Sequence, residues 1–198
     1  MKTSDLNLFM VDDEPDDLKS LVTLLVARNY RVQLFNSGES FLERADTQSS
    51  GCVLLDLGMG GGMNGLQVFE ELRNQNSPLV VMLFSGKLDI PTSTRYTRRG
   101  VFECIEKTSE ASYILDTVQR AMERAAELKE ARTRWNTLTP RERDVARVWR
   151  KGMSARDCGM VLGINERTIQ TNVGHIYEKL EVDNPTELDR FMRDHNIN

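Results

Sequence analysis

Short apolar runs alternate with amphipathic segments through the first 135 residues of this 198-residue chain, and this alternation constrains the fold more than any other feature. The apolar runs have the length of buried strands, and the segments between them carry apolar residues at helical spacing. We predict strands over residues 6–11, 30–35, 52–56, 79–85 and 102–107. We predict helices over residues 17–29, 37–45, 64–75, 92–100 and 112–135. Strands that alternate with helices form a parallel sheet covered on both faces, so we expect an α/β domain here.

The rest of the chain shows helical signals alone. Thr139, Pro140 and Glu142 supply an N-cap, a proline at the first helical position and the glutamate of a capping box. Asn184-Pro185-Thr186-Glu187 repeats this signal, and two further helices lie between, joined by a turn at Gly163–Asn165. We therefore predict a small all-α domain of four helices. Its predicted core residues are Val145, Val148, Trp149, Val161, Leu162, Ile164, Ile169, Val173, Ile176 and Leu180.

The long helix predicted over 112–135 separates the two parts. We place one domain at residues 1–125, a linker helix that continues its last helix at 126–136, and a second domain at 137–198. The helix carries one apolar stripe, formed by Ile114, Val118, Ala121, Ala125 and Leu128. The front half of the stripe is expected to pack on the sheet. For the back half two readings stay open, the same packing or a projecting linker that serves as a dimer seam.

Charge and hydropathy narrow the class of protein. No apolar run has membrane-spanning length, and the N-terminus lacks the pattern of a signal peptide, so we expect a cytoplasmic protein that does not bind membranes. The formal net charge is −4, and acidic and basic residues are equal in number over 136–198. A strongly basic nucleic-acid binder is therefore not indicated.

Polar side chains follow four of the predicted strands at their carboxyl ends, where the binding crevice of a parallel sheet lies. These residues are Asp12, Asp13, Glu14, Asp56, Ser85 and Lys107. Clustered carboxylates repel one another, and a hard divalent ion such as Mg²⁺ (or Mn²⁺) relieves that repulsion. Asp56 could then attack a phosphoryl group as a nucleophile, while Lys107 neutralises the developing charge and Ser85 hydrogen-bonds a phosphoryl oxygen.

Residues 4–125 resemble the receiver domain of bacterial two-component response regulators. The resemblance rests on "VDDE" after the first strand, Asp56 after "VLL", Ser85-Gly86, and "IEK" ending at Lys107. It implies a flavodoxin-like, doubly wound, five-stranded parallel sheet and a sensor histidine kinase as phosphodonor. It implies a receiver that catalyses only its own phosphorylation and dephosphorylation. It also implies Asp56 as phosphoacceptor and, as metal ligands, Asp12, Asp13, Asp56 and the backbone carbonyl of Gly58.

The chain departs from the receiver pattern at three places. The loop after Asp56 lacks a proline after Met59 and is one residue longer, with glycines at 60–62, so we expect it to be mobile without Mg²⁺ or phosphate. Cys104 occupies the position of the aromatic switch residue. Strand alternation would put Phe102 on the same face, so Ser85 with Cys104 or Phe102 is the predicted switch. Thr108 replaces a proline after Lys107. Lys87 is read as a solvated surface lysine, with a position over the site as the alternative.

Residues 137–198 resemble the LuxR-type DNA-binding domain of FixJ/NarL-class regulators. The carriers are "LTPRE", "GMS", "LGI" and "RTIQTNVGHIYEKL", and in such helix-turn-helix motifs the second helix enters the major groove. The resemblance puts Gln170, Thr171 and Gly174 toward base edges. It puts Thr168, Asn172, His175 and Lys179 nearer phosphates, and Arg167 is a further candidate DNA-binding residue on that helix.

These resemblances predict a transcription regulator that a sensor histidine kinase phosphorylates on Asp56. Phosphorylation would control a homodimer on promoter DNA, with RNA polymerase as a further partner. Two alternatives stay open. The glycine loop, Cys104 and Thr108 favour a DNA-binding regulator with an atypical receiver that acts without phosphorylation. The neutral charge of 137–198 favours a phosphotransfer or interaction module with weak DNA binding.

Overall fold

The chain forms two compact units, Met1–Glu127 and Leu128–Asn198, and each is described by itself. The structure, a computed structural model, describes residues 6–16, 18–86 and 90–197, with the backbone alone for 90–92. The boundary between the units falls inside the segment predicted as linker, residues 126–136.

The first unit has a five-stranded parallel sheet in the order β2-β1-β3-β4-β5. Its strands are β1 Asn7–Val11, β2 Arg31–Phe35, β3 Gly51–Asp56, β4 Val80–Ser85 and β5 Glu103–Glu106. Its helices are α1 Lys19–Ala27, α2 Gly38–Arg44, α3 Gly65–Asn74, α4 Ile90–Thr97 and α5 Ala111–Asn136. This strand order is that of the flavodoxin-like doubly wound fold, so the predicted fold class is confirmed, with element ends shifted by no more than three residues.

The strands β3 and β4, which end at Asp56 and Ser85, are the most deeply buried part of the sheet. Every residue of β3 and β4 is buried, because helices cover both faces. Phe9 of β1 packs edge-on against Phe41 of α2, with ring centroids 5.5 Å apart. Asn64 and Gln67 form a capping box that fixes the start of α3 directly after the β3–α3 loop.

Among the described residues, the second unit contains the end of α5 and four further helices, and the predicted number of helices is confirmed. They are α6 Pro140–Trp149, α7 Ala155–Leu162, α8 Glu166–Leu180 and α9 Pro185–Asp194. Thr139 caps α6 in a capping box with Glu142, and Asn184 caps α9. Gly163, in the left-handed region at φ +66°, ends α7, and Asn165 caps α8.

Most predicted core residues of this unit are buried or partly buried in one cluster, but Val161 is 61% exposed, so its assignment to the core was wrong. α7 packs through Cys158 and Gly159, and a Cβ at Gly159 would lie 2.5 Å from the Ile164 carbonyl oxygen. Two residues beyond Gly159, a helix has turned about 200°. Val161 therefore faces outward.

The apolar stripe of α5 is buried along its whole length, from Ile114 to Leu128. Farther along α5, Ala131 and Trp135 belong to the core cluster of the second unit. Arg147 of α6 lies over the Trp135 ring, with its guanidinium carbon 5.8 Å from the ring centre. The last turns of α5 are thus a structural part of the second unit.

Candidate functional site

The parallel sheet brings the predicted strand-end residues to one edge. Asp12 follows β1 directly, Asp56 is the last residue of β3, and Ser85 is the last residue of β4. Asp56 pairs with Phe84, and Ser85 pairs with Glu106, which precedes Lys107. The Lys107 N–H donates to the Ser85 carbonyl oxygen at 2.7 Å, which fixes the start of the lysine side chain at this edge.

Lys107 joins two buried carboxylates. Its Nζ lies 2.7 Å from Oδ2 of Asp12 and 3.1 Å from Oδ2 of Asp56. Asp12 is 1% exposed and Asp56 is 4% exposed. Partial burial disfavours the charged lysine, but the hydrogen bonds that it donates to Asp12 and Asp56 outweigh that effect and raise the pKa of Lys107 above its ordinary value. The lysine is therefore firmly cationic between two acids.

Asp12, Asp13 and Asp56 form a group of three acids that could hold a metal ion, since each offers an oxygen within 4.8 Å of the others. Oxygen ligands of this kind suit Mg²⁺ or Mn²⁺, so the donor set fits the ion that the sequence predicts. Gly58 lies against the same group, because its N–H donates to Oδ1 of Asp56 at 3.0 Å. The predicted role of its carbonyl as a ligand stays a prediction.

In the second unit, α8 presents one apolar and one polar face. Its buried residues Ile169, Val173, Ile176 and Leu180 pack in the core cluster. The exposed residues among those predicted to contact DNA are Arg167, Gln170, Thr171, Gly174 and His175. Thr168, Asn172 and Lys179 are partly buried. The helix thus offers solvent a polar strip next to the Gly163 turn.

Comparison with known proteins assigns both units. Residues 8–119 match the family model of the response regulator receiver domain, and residues 136–192 match that of bacterial regulatory proteins of the luxR family. The chain belongs to the response regulators of the FixJ/NarL class. A receiver joined to a LuxR-type domain makes this response regulator a two-component protein that controls transcription. Its receiver implies a histidine kinase as partner, and its LuxR-type domain implies DNA.

Similar proteins match the response regulator over nearly its whole length. It is 26% identical to the transcriptional regulatory protein FixJ of Bradyrhizobium diazoefficiens, over 93% of each chain. It is 27% identical to the tetrathionate response regulatory protein TtrR of Salmonella typhimurium, over 92% of this chain and 90% of that one. Among solved structures, the response regulator StyR matches with a TM-score of 0.59 and 26% identity, over 96% of this chain and 98% of that one. Full-length FixJ from B. japonicum matches with a TM-score of 0.54 and 25% identity, over 97% and 98%.

No helix among the described residues is both long enough and apolar enough to cross a bilayer.

The atypical loop of this response regulator is tied down at several points. A Cβ at Gly65 would lie 2.3 Å from the Asp56 carbonyl oxygen, so glycine is needed there although the loop before it is one residue longer than in the receiver pattern. The Gly60 N–H donates to Oδ2 of Asp13 at 2.9 Å, and the Met63 N–H donates to Oε1 of Glu39 at 2.6 Å. Glu39 is a residue that the sequence did not single out, because no local pattern links it to a loop 24 positions away.

The two switch candidates lie in different surroundings. Cys104 packs with the cluster that includes Tyr96, and it hydrogen-bonds Ser93. Burial raises the pKa of its thiol. The Phe102 ring instead lies 5.9 Å from the guanidinium carbon of Arg120 on α5. Whether Phe102 shares a face with Cys104 stays a prediction; the Phe102 N–H donates to the Val81 carbonyl oxygen at 2.8 Å, so the sheet hydrogen bonds beside β5 include this residue.

Two smaller expectations concern the Lys107–Thr108 peptide bond and Lys87. No peptide bond in the described part of the chain is cis, so the bond between Lys107 and Thr108 is trans, and Lys107 still reaches both acids. Lys87 lies outside the described residues.

Lys179, predicted to approach phosphates, has a partner inside its own unit. Its Nζ lies 2.9 Å and 2.7 Å from the two carboxylate oxygens of Glu142. His175 approaches the same carboxylate, with Nδ1 3.5 Å from Oε1. Burial disfavours the charged form of Glu142, but the hydrogen bonds from Lys179 and Thr139 outweigh it and lower its pKa. Lys179 therefore fixes α8 to the start of α6.

Proposed function

We propose that Asp56 of this response regulator is the phosphoacceptor, assisted by Mg²⁺ or Mn²⁺ at Asp12, Asp13 and Asp56, with the Gly58 carbonyl as a further ligand. The observation that carries the proposal is a buried Asp56 in ion-pair contact with Lys107 and within a group of three acids. Such an arrangement presents a nucleophile beside the charges that a phosphoryl group requires.

The transfer step follows from these positions. A carboxylate oxygen of Asp56 forms a bond to the phosphorus of a phosphohistidine on the kinase, and the phosphorus–nitrogen bond breaks. The electron pair stays on the histidine nitrogen, which takes up a proton. The metal, when bound, supplies positive charge beside the transferred oxygens. The product is an aspartyl phosphate, which adds charge to a buried site.

Lys107 and Ser85 have distinct roles in this proposal. Lys107 pairs with Asp12 and Asp56 at the same time and offsets part of their negative charge. A phosphoryl group on Asp56 offers its ammonium a more highly charged partner within the same reach. Ser85, buried at the end of β4, supplies a hydroxyl at the same edge that can donate to a phosphoryl oxygen.

A phosphorylation assay tests the role of Asp56. The full-length protein is treated with phosphoramidate with and without Mg²⁺ and analysed on a phosphate-affinity gel. We expect a Mg²⁺-dependent shifted band for the wild type and for Asp116→Asn, whose carboxylate is exposed on α5, and none for Asp56→Asn. A shifted band that persists in Asp56→Asn would refute the assignment.

We extend the proposal to DNA. The polar strip of α8 would read promoter bases, with a homodimer placing two copies of α8 on paired half-sites. Support comes from the exposure of Gln170, Thr171 and Gly174 on a helix whose opposite face is buried. Electrophoretic mobility shifts on promoter fragments at several salt concentrations test it. If binding is absent at low salt on every fragment, the interaction-module alternative is correct.

A second candidate, DNA binding without a phosphate switch, is favoured by one observation. Phe102, the aromatic residue that the sequence offers in place of Cys104, has its ring 5.9 Å from the guanidinium carbon of Arg120 on α5. Light scattering with Mg²⁺ and beryllofluoride on the wild type and Asp56→Ala separates the candidates. A monomer-to-dimer shift that only the wild type shows supports the switch. Identical masses in all conditions support the second candidate.

A further inference from the structure

Three carboxylates hold the loop between β3 and α3, and only one of them is outside the acidic crevice. Asp56 accepts from the Gly58 N–H and Asp13 accepts from the Gly60 N–H. Glu39 accepts from the Met63 N–H at 2.6 Å. The first two belong to the predicted metal ligands. Glu39 is on α2 and is not one of the three acids that could share an ion.

The position of Glu39 is itself well fixed. Ser37 caps α2, and Glu39 lies in the first turn, where a carboxylate is favoured by the helix dipole. A Cβ at Gly38 would lie 2.5 Å from Val68 of α3 and 3.0 Å from the Met63 carbonyl oxygen, so the start of α2 lies against the end of the loop. Backbone hydrogen bonds to its own N–H and to Met63 lower the pKa of Glu39, so the carboxylate is ionised at neutral pH.

Glycine at position 62 lets the Glu39 carboxylate keep this place beside the loop. A Cβ at Gly62 would lie 2.7 Å from Oε1 of Glu39. Gly61 has φ +81°, a conformation that residues with a side chain rarely adopt. The three-glycine segment is thus bracketed by Asp13 on one side and Glu39 on the other. A loop of this composition has high conformational entropy when it is released.

We propose that Glu39 is a positioning residue for the metal site, which holds the glycine loop so that Gly58 stays beside Asp56. The inference rests on the proposed function, since it concerns the same ion. If an ion bound Asp13, the hydrogen bond that Asp13 accepts from the Gly60 N–H would be shared or lost. The hydrogen bond from the Met63 N–H to Glu39 then remains, because Glu39 is not a metal ligand. It compensates for the extra residue and the missing proline of the loop.

Binding of Mn²⁺ to the full-length protein, followed by electron paramagnetic resonance, tests the proposal, with Mg²⁺ measured by competition. Loss of a residue that orients a metal ligand weakens metal affinity by roughly 10-fold or more. Because Glu39 is exposed, we expect about 3- to 10-fold weaker binding in Glu39→Ala. Glu39→Gln keeps an oxygen that accepts from Met63 and should bind within about 2-fold of the wild type.

Glu43→Ala is the matched control, because Glu43 is exposed one turn farther along α2 and its removal changes the charge equally. Amide hydrogen exchange without metal gives a second readout, in which Glu39→Ala should accelerate exchange at Met63 and in Gly58–Gly62 but not in β3. Equal weakening in Glu39→Gln and Glu39→Ala would show a charge effect and overturn the positioning role. Unchanged binding in Glu39→Ala would overturn it as well. A wild type that binds neither ion would overturn the metal site of the proposed function, and this inference with it.

Discussion

Loss of Glu142 from its ion pair with Lys179 should measurably destabilise the LuxR-type unit. The Glu142 side chain is 4% exposed, and it also accepts from the Thr139 N–H at 2.7 Å. Removing one partner of a buried ion pair costs about 3–5 kcal/mol. Because the Lys179 side chain is 33% exposed, solvent screens part of that loss, and we expect roughly 2–3 kcal/mol for Glu142→Ala.

Intrinsic fluorescence can isolate this unit in the full-length protein. The chain has two tryptophans, and both Trp135 and Trp149 lie in the second unit. For a domain of this size 1 kcal/mol shifts the melting temperature by roughly 4–8 °C. Glu142→Ala should therefore lower the melting temperature seen by tryptophan by roughly 10–20 °C. Glu178→Ala, which removes an exposed acid from the same α8, serves as the control.

The effect should depend on pH in one direction. The pKa of Glu142 is lower in the folded protein than its ordinary value, so its ionised form favours folding. That contribution is complete above the ordinary glutamate pKa and is lost as the pH falls through the lowered folded value. The difference between wild type and Glu142→Ala should thus shrink in acid. A melting temperature for Glu142→Ala equal to that of Glu178→Ala at neutral pH would refute the reasoning.

Three further predictions concern the two sites. Lys107→Met should bind Mn²⁺ a few-fold more tightly, because the substitution removes a cation beside Asp56. The same variant should no longer be phosphorylated by phosphoramidate. Weaker Mn²⁺ binding in electron paramagnetic resonance titrations would contradict the first expectation. Gly65→Ala should destabilise the receiver by about 1–3 kcal/mol, because its Cβ would lie 2.3 Å from the Asp56 carbonyl oxygen. Urea unfolding followed by circular dichroism measures this loss, and an unfolding curve equal to that of the wild type would contradict the prediction. A Cβ at Gly174 would meet no atom within 4 Å, and Gly174→Lys should increase the salt dependence of DNA binding by about one phosphate contact per copy. An unchanged slope in mobility shifts would place residue 174 away from the DNA.

Local patterns predicted most of the fold. Strand alternation with helices, the capping box at Thr139 and the proline at Asn184-Pro185 each act over a few residues, and all reappear in the structure. Strand ends also predicted which polar groups meet, because parallel strands end at one edge. The meeting of Asp12, Asp56 and Lys107 follows from that rule alone.

Contacts across long stretches of sequence were not predictable in the same way. Glu142 and Lys179 are 37 positions apart, and Glu39 and Met63 are 24 apart, so each pair depends on how whole helices dock. The helical pattern also misplaced Val161, because α7 turns a glycine rather than a branched residue into the core.

The Glu142 tie bears on how such a regulator would control transcription. In this ion pair the charge of Lys179 is paired with a carboxylate of its own unit instead of a DNA phosphate. The acidic and basic residues of 136–198 are also equal in number. Each phosphate contact contributes to affinity through counterion release, so one copy of this unit should bind DNA weakly. Two linked copies gain from a high effective concentration at the second half-site. Under the proposed function, occupancy of a promoter would then follow the fraction of dimer rather than the total protein. A receiver that changes only that fraction is enough to act as the switch, even with Cys104 at the position of the aromatic residue.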